Sequence, residues 1–318
     1  MTDHDDADII PAHPHLRRKP LPWQELKPAE EDPQAKQRVQ AILDSPGYRL
    51  ADQDVDFLNE DDTRGVRLQI DYFKAEQLLE QHGVKHTIVV FGSTRIRESE
   101  ACKRKIEKIL SALKNDPGNE VYERQLTVAR RVLDKSHYYD VARDFGQIVG
   151  QSGNGPDDNR VVLMTGGGPG IMEAANRGAF DVGAKSVGLN ITLPHEQFPN
   201  PYVTSNLCFR FHYFAIRKLH FLMRAKALVT FPGGYGTMDE LFETLTLIQT
   251  REIQPVPVVL VGEHYWRHAF NIDFLADEGV IDEEDRELFW YAESAQEAWQ
   301  GILTWHERNG TPLFSDTV

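Results

Sequence analysis

Apolar positions along most of this chain follow two rhythms that take turns. In "VRLQIDYFKAEQLLEQHGV" (66–84), Leu68, Tyr72, Ala75, Leu78 and Leu79 recur at the spacing of one helix face, and Gly83 stands where such a helix would stop. The rhythm then changes to "TIVVFG" (87–92), a short β-branched run closed by glycine, which predicts a strand. Helical spacing returns over 99–114 and again over 122–149. Strands are predicted at "RVVLMT" (160–165), "KSVGLNITL" (185–193), "LVTF" (228–231) and "VPVVLVG" (256–262). Between them the spacing predicts helices over 171–184, 212–227 and 237–251, and amphipathic helices finish the chain. Pro169 falls near the first turn of the 171–184 helix, where a missing N–H costs no hydrogen bond.

Short apolar strands alternating with helices predict an α/β fold: a Rossmann-like, three-layer arrangement with a parallel sheet covered by helices on both faces. Ligands of such sheets bind at the carboxyl ends of the strands. Residues 1–65 do not share the pattern. They are polar, punctuated by Pro11, Pro14, Pro20, Pro22, Pro28 and Pro33, and carry the acidic run "NEDDT" (59–63). This composition predicts a partly disordered N-terminal arm with one short helix around 32–43, followed by a single domain over 66–318. No internal repeat is present.

Composition narrows the function classes. The chain is 41% hydrophobic and 26% charged, with a formal net charge of −14 over 318 residues. That balance argues against a protein that grips nucleic acid or an anionic membrane, while leaving room for a local basic pocket. Two cysteines, Cys102 and Cys208, cannot build a disulfide framework or a cysteine-rich zinc site. No apolar run approaches the roughly 18 residues of a membrane span, and the acidic N-terminus has no signal-peptide pattern, so a cytoplasmic location is expected.

Three glycine-bearing loops follow strands and precede helices: "FGSTRIRE" (91–98), "TGGGPGIME" (165–173) and "TFPGGYGTMDE" (230–240). Glycine lets main-chain N–H groups approach an anion, and a helix N-terminus adds partial positive charge. A phosphate-bearing ligand is the natural reading. It is not a dinucleotide in the usual cradle, because G-x-G-x-x-G is absent: Ile171 and Asp239 occupy the sixth positions counted from Gly166 and Gly234. No G-x-x-x-x-G-K-[ST] loop and no H-E-x-x-H occur either. Taken locally, Thr237-x-x-Glu240 ahead of an apolar helix face also fits a capping box, in which both side chains serve helix N–H groups. Arg217 and Lys218 could equally be a solvated basic pair.

Together, "TGGGPGIMEAANRGA" (165–179), the pair Arg217–Lys218 and "PGGYGTMDE" (232–240) resemble the LOG (Lonely Guy) family, whose pattern is Arg-Lys on a helix followed by P-G-G-x-G-T-x-x-E. The 23-residue step from Arg217 to Glu240 also matches, and the resemblance runs from about Leu68 to Trp305. Members of the family, long labelled lysine decarboxylases, are understood as nucleoside 5′-monophosphate phosphoribohydrolases that release a base and ribose 5-phosphate. The resemblance implies catalytic roles for Glu240 and Arg217. It implies substrate binding by Lys218, by the loop Gly233, Gly234, Tyr235, Gly236 and Thr237, and by Thr246 and Glu196. Gly92 and Ser93 would line the nucleoside end, and Gly167 and Gly168 of the second loop would also bind substrate. It implies neither metal nor other cofactor, a small-molecule nucleotide as partner, and a homodimer or dimer of dimers. "FAI" (214–216) departs from the M-H-E of plant members, and with the long arm it is similar to a longer bacterial branch. AMP is therefore the first expectation and a cytokinin nucleotide the second. Two other readings stand beside hydrolysis. One is a non-catalytic nucleotide-binding or regulatory protein on the same fold. The other is a pyridoxal-phosphate decarboxylase, for which the sequence singles out no Schiff-base lysine.

Overall fold

The structure, a computed structural model, describes residues 19–192 and 198–314. The chain divides into two compact units, Met1–Arg67 and Leu68–Val318. Within the first, the described residues form helices α1 (Ala35–Leu43) and α2 (Val55–Leu58) and three short 3₁₀ turns. Asp54 caps α2 by accepting from the Phe57 N–H. The Thr63 hydroxyl closes the following turn on the carbonyls of Leu58 and Glu60.

Helix α3 (Arg64–Gln81) contains the boundary and leads into the second unit. Seven strands follow in chain order: β1 (His86–Phe91), β2 (Val161–Thr165), β3 (Ser186–Ile191), β4 (Cys208–Phe211), β5 (Ala225–Thr230), β6 (Val258–Val261) and β7 (Trp290–Ala292). All six pairings are parallel, in the spatial order β4-β3-β2-β1-β5-β6-β7. The crossovers are made by α4 (Ser99–Asn115), α5 (Glu120–Asp134), α6 (His137–Gly150), α7 (Ile171–Asp181), α8 (Phe214–Met223), α9 (Tyr235–Gln249), α10 (Glu263–Ala269) and α11 (Ile272–Asp277). Helix α12 (Ala295–Arg308) closes the chain.

Strand residues alternate between two cores. Ile88, Val90, Leu163 and Val229 pack on one face with Phe145 of α6, Ala174 of α7 and Ile302 of α12. Val89, Phe91, Met164 and Leu228 pack on the other with Leu79 of α3, Phe221 of α8 and Leu241 of α9. The fold is thus the α/β three-layer arrangement expected of a parallel sheet buried on both faces. No helix among the described residues is long and apolar enough to cross a membrane.

Two helices and two strands differ from the sequence pattern. The helix expected over 122–149 is two helices, broken at Lys135 and Ser136. The reason lies in the faces: α5 buries only Ala129, whereas α6 buries Tyr138, Tyr139, Ala142, Phe145 and Val149. The break lets each half turn its own apolar side inward. The helix expected over 212–227 stops at Met223, because Ala225 and Ala227 are claimed by parallel pairing with Thr87 and Ile88. Ladder formation overrides their helical propensity there. Strands β4 and β7, both at sheet edges, are too short to show a period of their own.

Candidate active site

Strand order reverses at β1, which has β2 on one side and β5 on the other. The loops leaving β1 and β5 therefore part there, and a crevice opens between them. A cavity of about 500 Å³ occupies it. Gly92, Ser93, Thr94 and Arg95 line it from β1, Phe214 and Arg217 from α8, and Gly234, Tyr235, Gly236, Thr237 and Glu240 from the start of α9, with Met172 at one wall. Ser93 fastens these segments: its N–H donates to the Pro232 carbonyl and its carbonyl accepts from the Ile171 N–H.

The three glycines of the loop after β5 have different duties. Gly233 is packed under the Thr237 side chain, and any Cβ there would collide with it. Gly234 and Gly236 face open space at the corresponding position, although both line the cavity. A glycine in the first turn of a helix weakens it, and packing does not demand one at 236. Its place suits a ligand approaching the main chain. Helix α9 starts at Tyr235 with Gly234 as its N-cap, and no side chain among the described residues caps it. Thr237 consequently lies inside the first turn and Glu240 in the second. The capping box that the local spacing allows does not form, because the helix begins two residues earlier than the pattern places it.

That leaves Glu240 for other work. The residue is only 4% exposed, and burial pushes its carboxyl up to about 7, against the pull of Lys218 and Arg217. Its Oε1 lies 3.8 Å from Arg217 Nη1 and its Oε2 3.8 Å from Lys218 Nζ. Arg217 is itself buried, which lowers its pKa, opposed by Glu240 and Asp239. Its Nε donates to the Leu189 carbonyl at 2.7 Å, and its guanidinium lies over the rings of Phe214 and Phe221 at 5.5 and 4.8 Å. Gly166, in the loop after β2, makes room for it: a Cβ there would sit 2.7 Å from Arg217 Nη2. Lys218 Nζ pairs with Glu243 at 2.7 Å and Asp239 at 2.9 Å. Burial works against its charge, but those two carboxylates outweigh it and raise the ammonium's pKa.

Not every residue named from the sequence meets here. Gly92, Ser93, Gly234, Tyr235, Gly236, Thr237, Arg217 and Glu240 share the cavity, and Gly233 supports it from below. Lys218 and Thr246 instead border a neighbouring shallower depression of about 410 Å³, which also takes in Tyr235. Gly167 and Gly168 are not among the residues that line the cavity, although a Cβ at Gly168 would sit 2.9 Å from Met172 in its wall. Gly167 has a φ of 67° and lies against Asn190, and both glycine carbonyls accept from Asn200. Glu196 lies outside the described residues. Sequence reasoning missed Arg95, Met172 and Phe214 in the cavity wall, and the carboxylates Asp239 and Glu243 that hold Lys218. The last two had a legible signal, since Asp239 and Glu243 flank Glu240 within one helical turn.

The family model described as "Possible lysine decarboxylase" matches residues 172–302, which take in α8, α9 and the loop between them. The chain is 28% identical over 187 residues to cytokinin riboside 5'-monophosphate phosphoribohydrolase LOG3 of Arabidopsis thaliana, covering 56% of this chain and 82% of that protein. It is 29% identical over 167 residues to cytokinin riboside 5'-monophosphate phosphoribohydrolase LOG of Oryza sativa subsp. japonica, covering 51% of this chain and 65% of the rice protein. Among solved structures, a Moco carrier protein from Chlamydomonas reinhardtii superposes with a TM-score of 0.41 at 18% identity, over 70% of this chain and 99% of that one. The X-ray structure of TM1055 superposes with a TM-score of 0.41 at 20% identity, over 68% and 98%.

Proposed function

Because this chain belongs to the LOG family, we propose that it hydrolyses the N-glycosidic bond of a nucleoside 5′-monophosphate, with Glu240 and Arg217 as its catalytic residues. The observation that carries the reading is Glu240: a buried carboxylate, pushed up to about 7 and set against Arg217 on the wall of a cavity with two open glycines. The 5′-phosphate would rest against the first turn of α9, where Gly234 and Gly236 admit it to the main chain. Glycosidic cleavage builds positive charge on the ribose, and a carboxylate beside the anomeric carbon offsets it. Water adds to that carbon as the C–N bond breaks and its electron pair leaves with the base. Ionised Glu240 takes one proton from the attacking water, the departing base takes one from solvent, and Glu240 then returns its proton to solvent, so that one water is consumed in all. Arg217, with its planar fork of donors, holds oxygens of the substrate and orients the Glu240 carboxylate.

AMP is the first substrate to test. The plant relatives are named for cytokinin riboside 5′-monophosphates, and such prenylated nucleotides come second because the segment before Arg217 departs from the plant pattern. The decarboxylase label fits the cavity less well. No lysine lines it among the described residues, and nearby Lys218 is held charged by two carboxylates, a poor state for attack on an aldehyde. We further take the protein to act in the cytoplasm as a homodimer or a dimer of dimers, an assembly that sedimentation measures directly.

The decisive experiment follows base release from a panel of nucleoside monophosphates with wild type, Glu240→Gln and Arg217→Ala. The expected result is adenine and ribose 5-phosphate from AMP, with both variants folded and slower by roughly a hundredfold or more. A wild type that binds AMP tightly and releases nothing would replace hydrolysis with the non-catalytic reading.

A further inference from the structure

Helix α8 carries Arg217 and Lys218, and α3 holds that helix at both ends. At its start, Asp71 Oδ2 accepts from the main-chain N–H groups of His212 and Tyr213, 2.8 Å each. Tyr213 is the N-cap of α8, so the carboxylate also sits where the helix dipole favours negative charge. At its end, Glu76 Oε2 accepts from Arg224 Nη2 at 2.8 Å, and Glu76 Oε1 lies 3.5 Å from His220 Nε2.

The second end contains an unbalanced account of protons. His220 is 1% exposed, and its ring lies against Tyr72 and Phe211 at centroid distances of 5.2 and 5.1 Å. Its Nδ1 is 2.8 Å from the Ile216 carbonyl, which can only accept, so Nδ1 carries a proton. Nε2 then faces the Glu76 oxygen. With no proton between them, two lone pairs would confront each other away from water. Glu76 Oε1, His220 Nε2 and Arg224 Nε are all buried without a hydrogen-bond partner among the described residues. Buried polar atoms left in that state cost stability, and one proton held between Nε2 and Oε1 removes the conflict for both.

We infer that Glu76 and His220 are positioning residues for Arg217: the proton they share, together with Arg224 and the Asp71 clamp, fixes the seating of α8 and so aims the guanidinium at Glu240. This rests on the hydrolase reading of the site. Arg217 precedes His220 by three residues and therefore lies on the same side of the helix, one turn away. Phe221, the residue after His220, stacks under the Arg217 guanidinium and packs edge-on against Phe91 of β1. A small tilt of α8 thus moves the guanidinium relative to the carboxylate 3.8 Å away, and misplacement by about 1 Å is enough to cost orders of magnitude in rate.

The test compares wild type with Glu76→Gln and His220→Gln by two readouts. The first is steady-state base release. Both variants are expected to lose roughly tenfold or more in kcat, with KM within about threefold. The second is hydrogen exchange at Arg217 Nε–H, followed by NMR and assigned through its loss in Arg217→Lys. This proton is held by the Leu189 carbonyl, and its exchange is expected to accelerate by roughly tenfold or more in both variants. Unchanged exchange in both folded variants overturns the inference. Faster exchange in a protein that hydrolyses no nucleotide keeps the positioning role and removes the hydrolase reading. Should Glu76→Gln fail to fold, Glu76→Asp, which keeps the charge one carbon short, carries the same measurements.

Discussion

Glu240 is a carboxylate placed where its charge is costly, and that cost has a measurable sign. An ordinary glutamate ionises near 4.5, and this one near 7. A folded-state pKa above the unfolded one means stability that is complete below the unfolded value and lost as pH rises through the folded value. Glu240→Gln is therefore expected to leave stability below pH 4.5 nearly unchanged and to raise it above pH 7, by on the order of 3 kcal/mol. Thermal unfolding of the two proteins at pH 5 and pH 8 checks this, and a shift that is equal at both would contradict the buried-charge account. The same ionisation sets the rate. As a general base, Glu240 works when deprotonated, so kcat/KM should rise about tenfold per pH unit below 7 and level off above it. Glu240→Gln should lose that limb together with the activity.

At the scale of the element, helix α9 is where local pattern and structure part company. Its apolar face, with Leu241 and Ile248 buried, was legible from spacing alone. Its start was not, because Thr237-x-x-Glu240 imitates a capping box and the true N-cap is a glycine with no side chain to announce it. Substitution separates the glycines. Gly233→Ala meets Thr237 and should destabilise by roughly 1–3 kcal/mol. Gly236→Ala meets nothing and should stabilise by roughly 0.5–1 kcal/mol while weakening nucleotide binding. Denaturation midpoints and AMP affinity, measured on both, tell a packing glycine from a ligand glycine. The sheet was legible where strands are buried on both faces, since β1, β2, β5 and β6 each hold a run of apolar residues, at 88–91, 161–164, 227–229 and 258–261. The edges were hidden because they are short: β4 is four residues long, with exposed Arg210 among them, and β7 is three. Of the site, Arg217 and Glu240 were legible through paired motifs. The support from Leu189, Gly166 and Phe221 was not, because strand and helix packing alone bring those residues to Arg217.

For the molecule as a whole, both hydrophobic cores are built from residues at or beyond Ala75. A chain beginning at Arg64 keeps α3 entire, with Asp71 and Glu76, and loses only the acidic, proline-bearing segment before it. It is expected to unfold cooperatively within a few degrees of the full chain and to release base at a similar rate. Loss of folding on that truncation would show that the first unit is part of the second unit's core. The strand order has one more implication, and it concerns time. β1 pairs with β5, and only that pairing brings the loop after residue 91 beside the loop after residue 230. Everything between, including β2, β3 and five helices, is already available to collapse on β1 first. Parallel pairings across such long stretches of chain form late. A refolding molecule should therefore recover its helices and the β1–β2 half of its sheet before it can bind nucleotide. Activity would be the last property to return after dilution from denaturant, and the last to emerge as the chain leaves the ribosome.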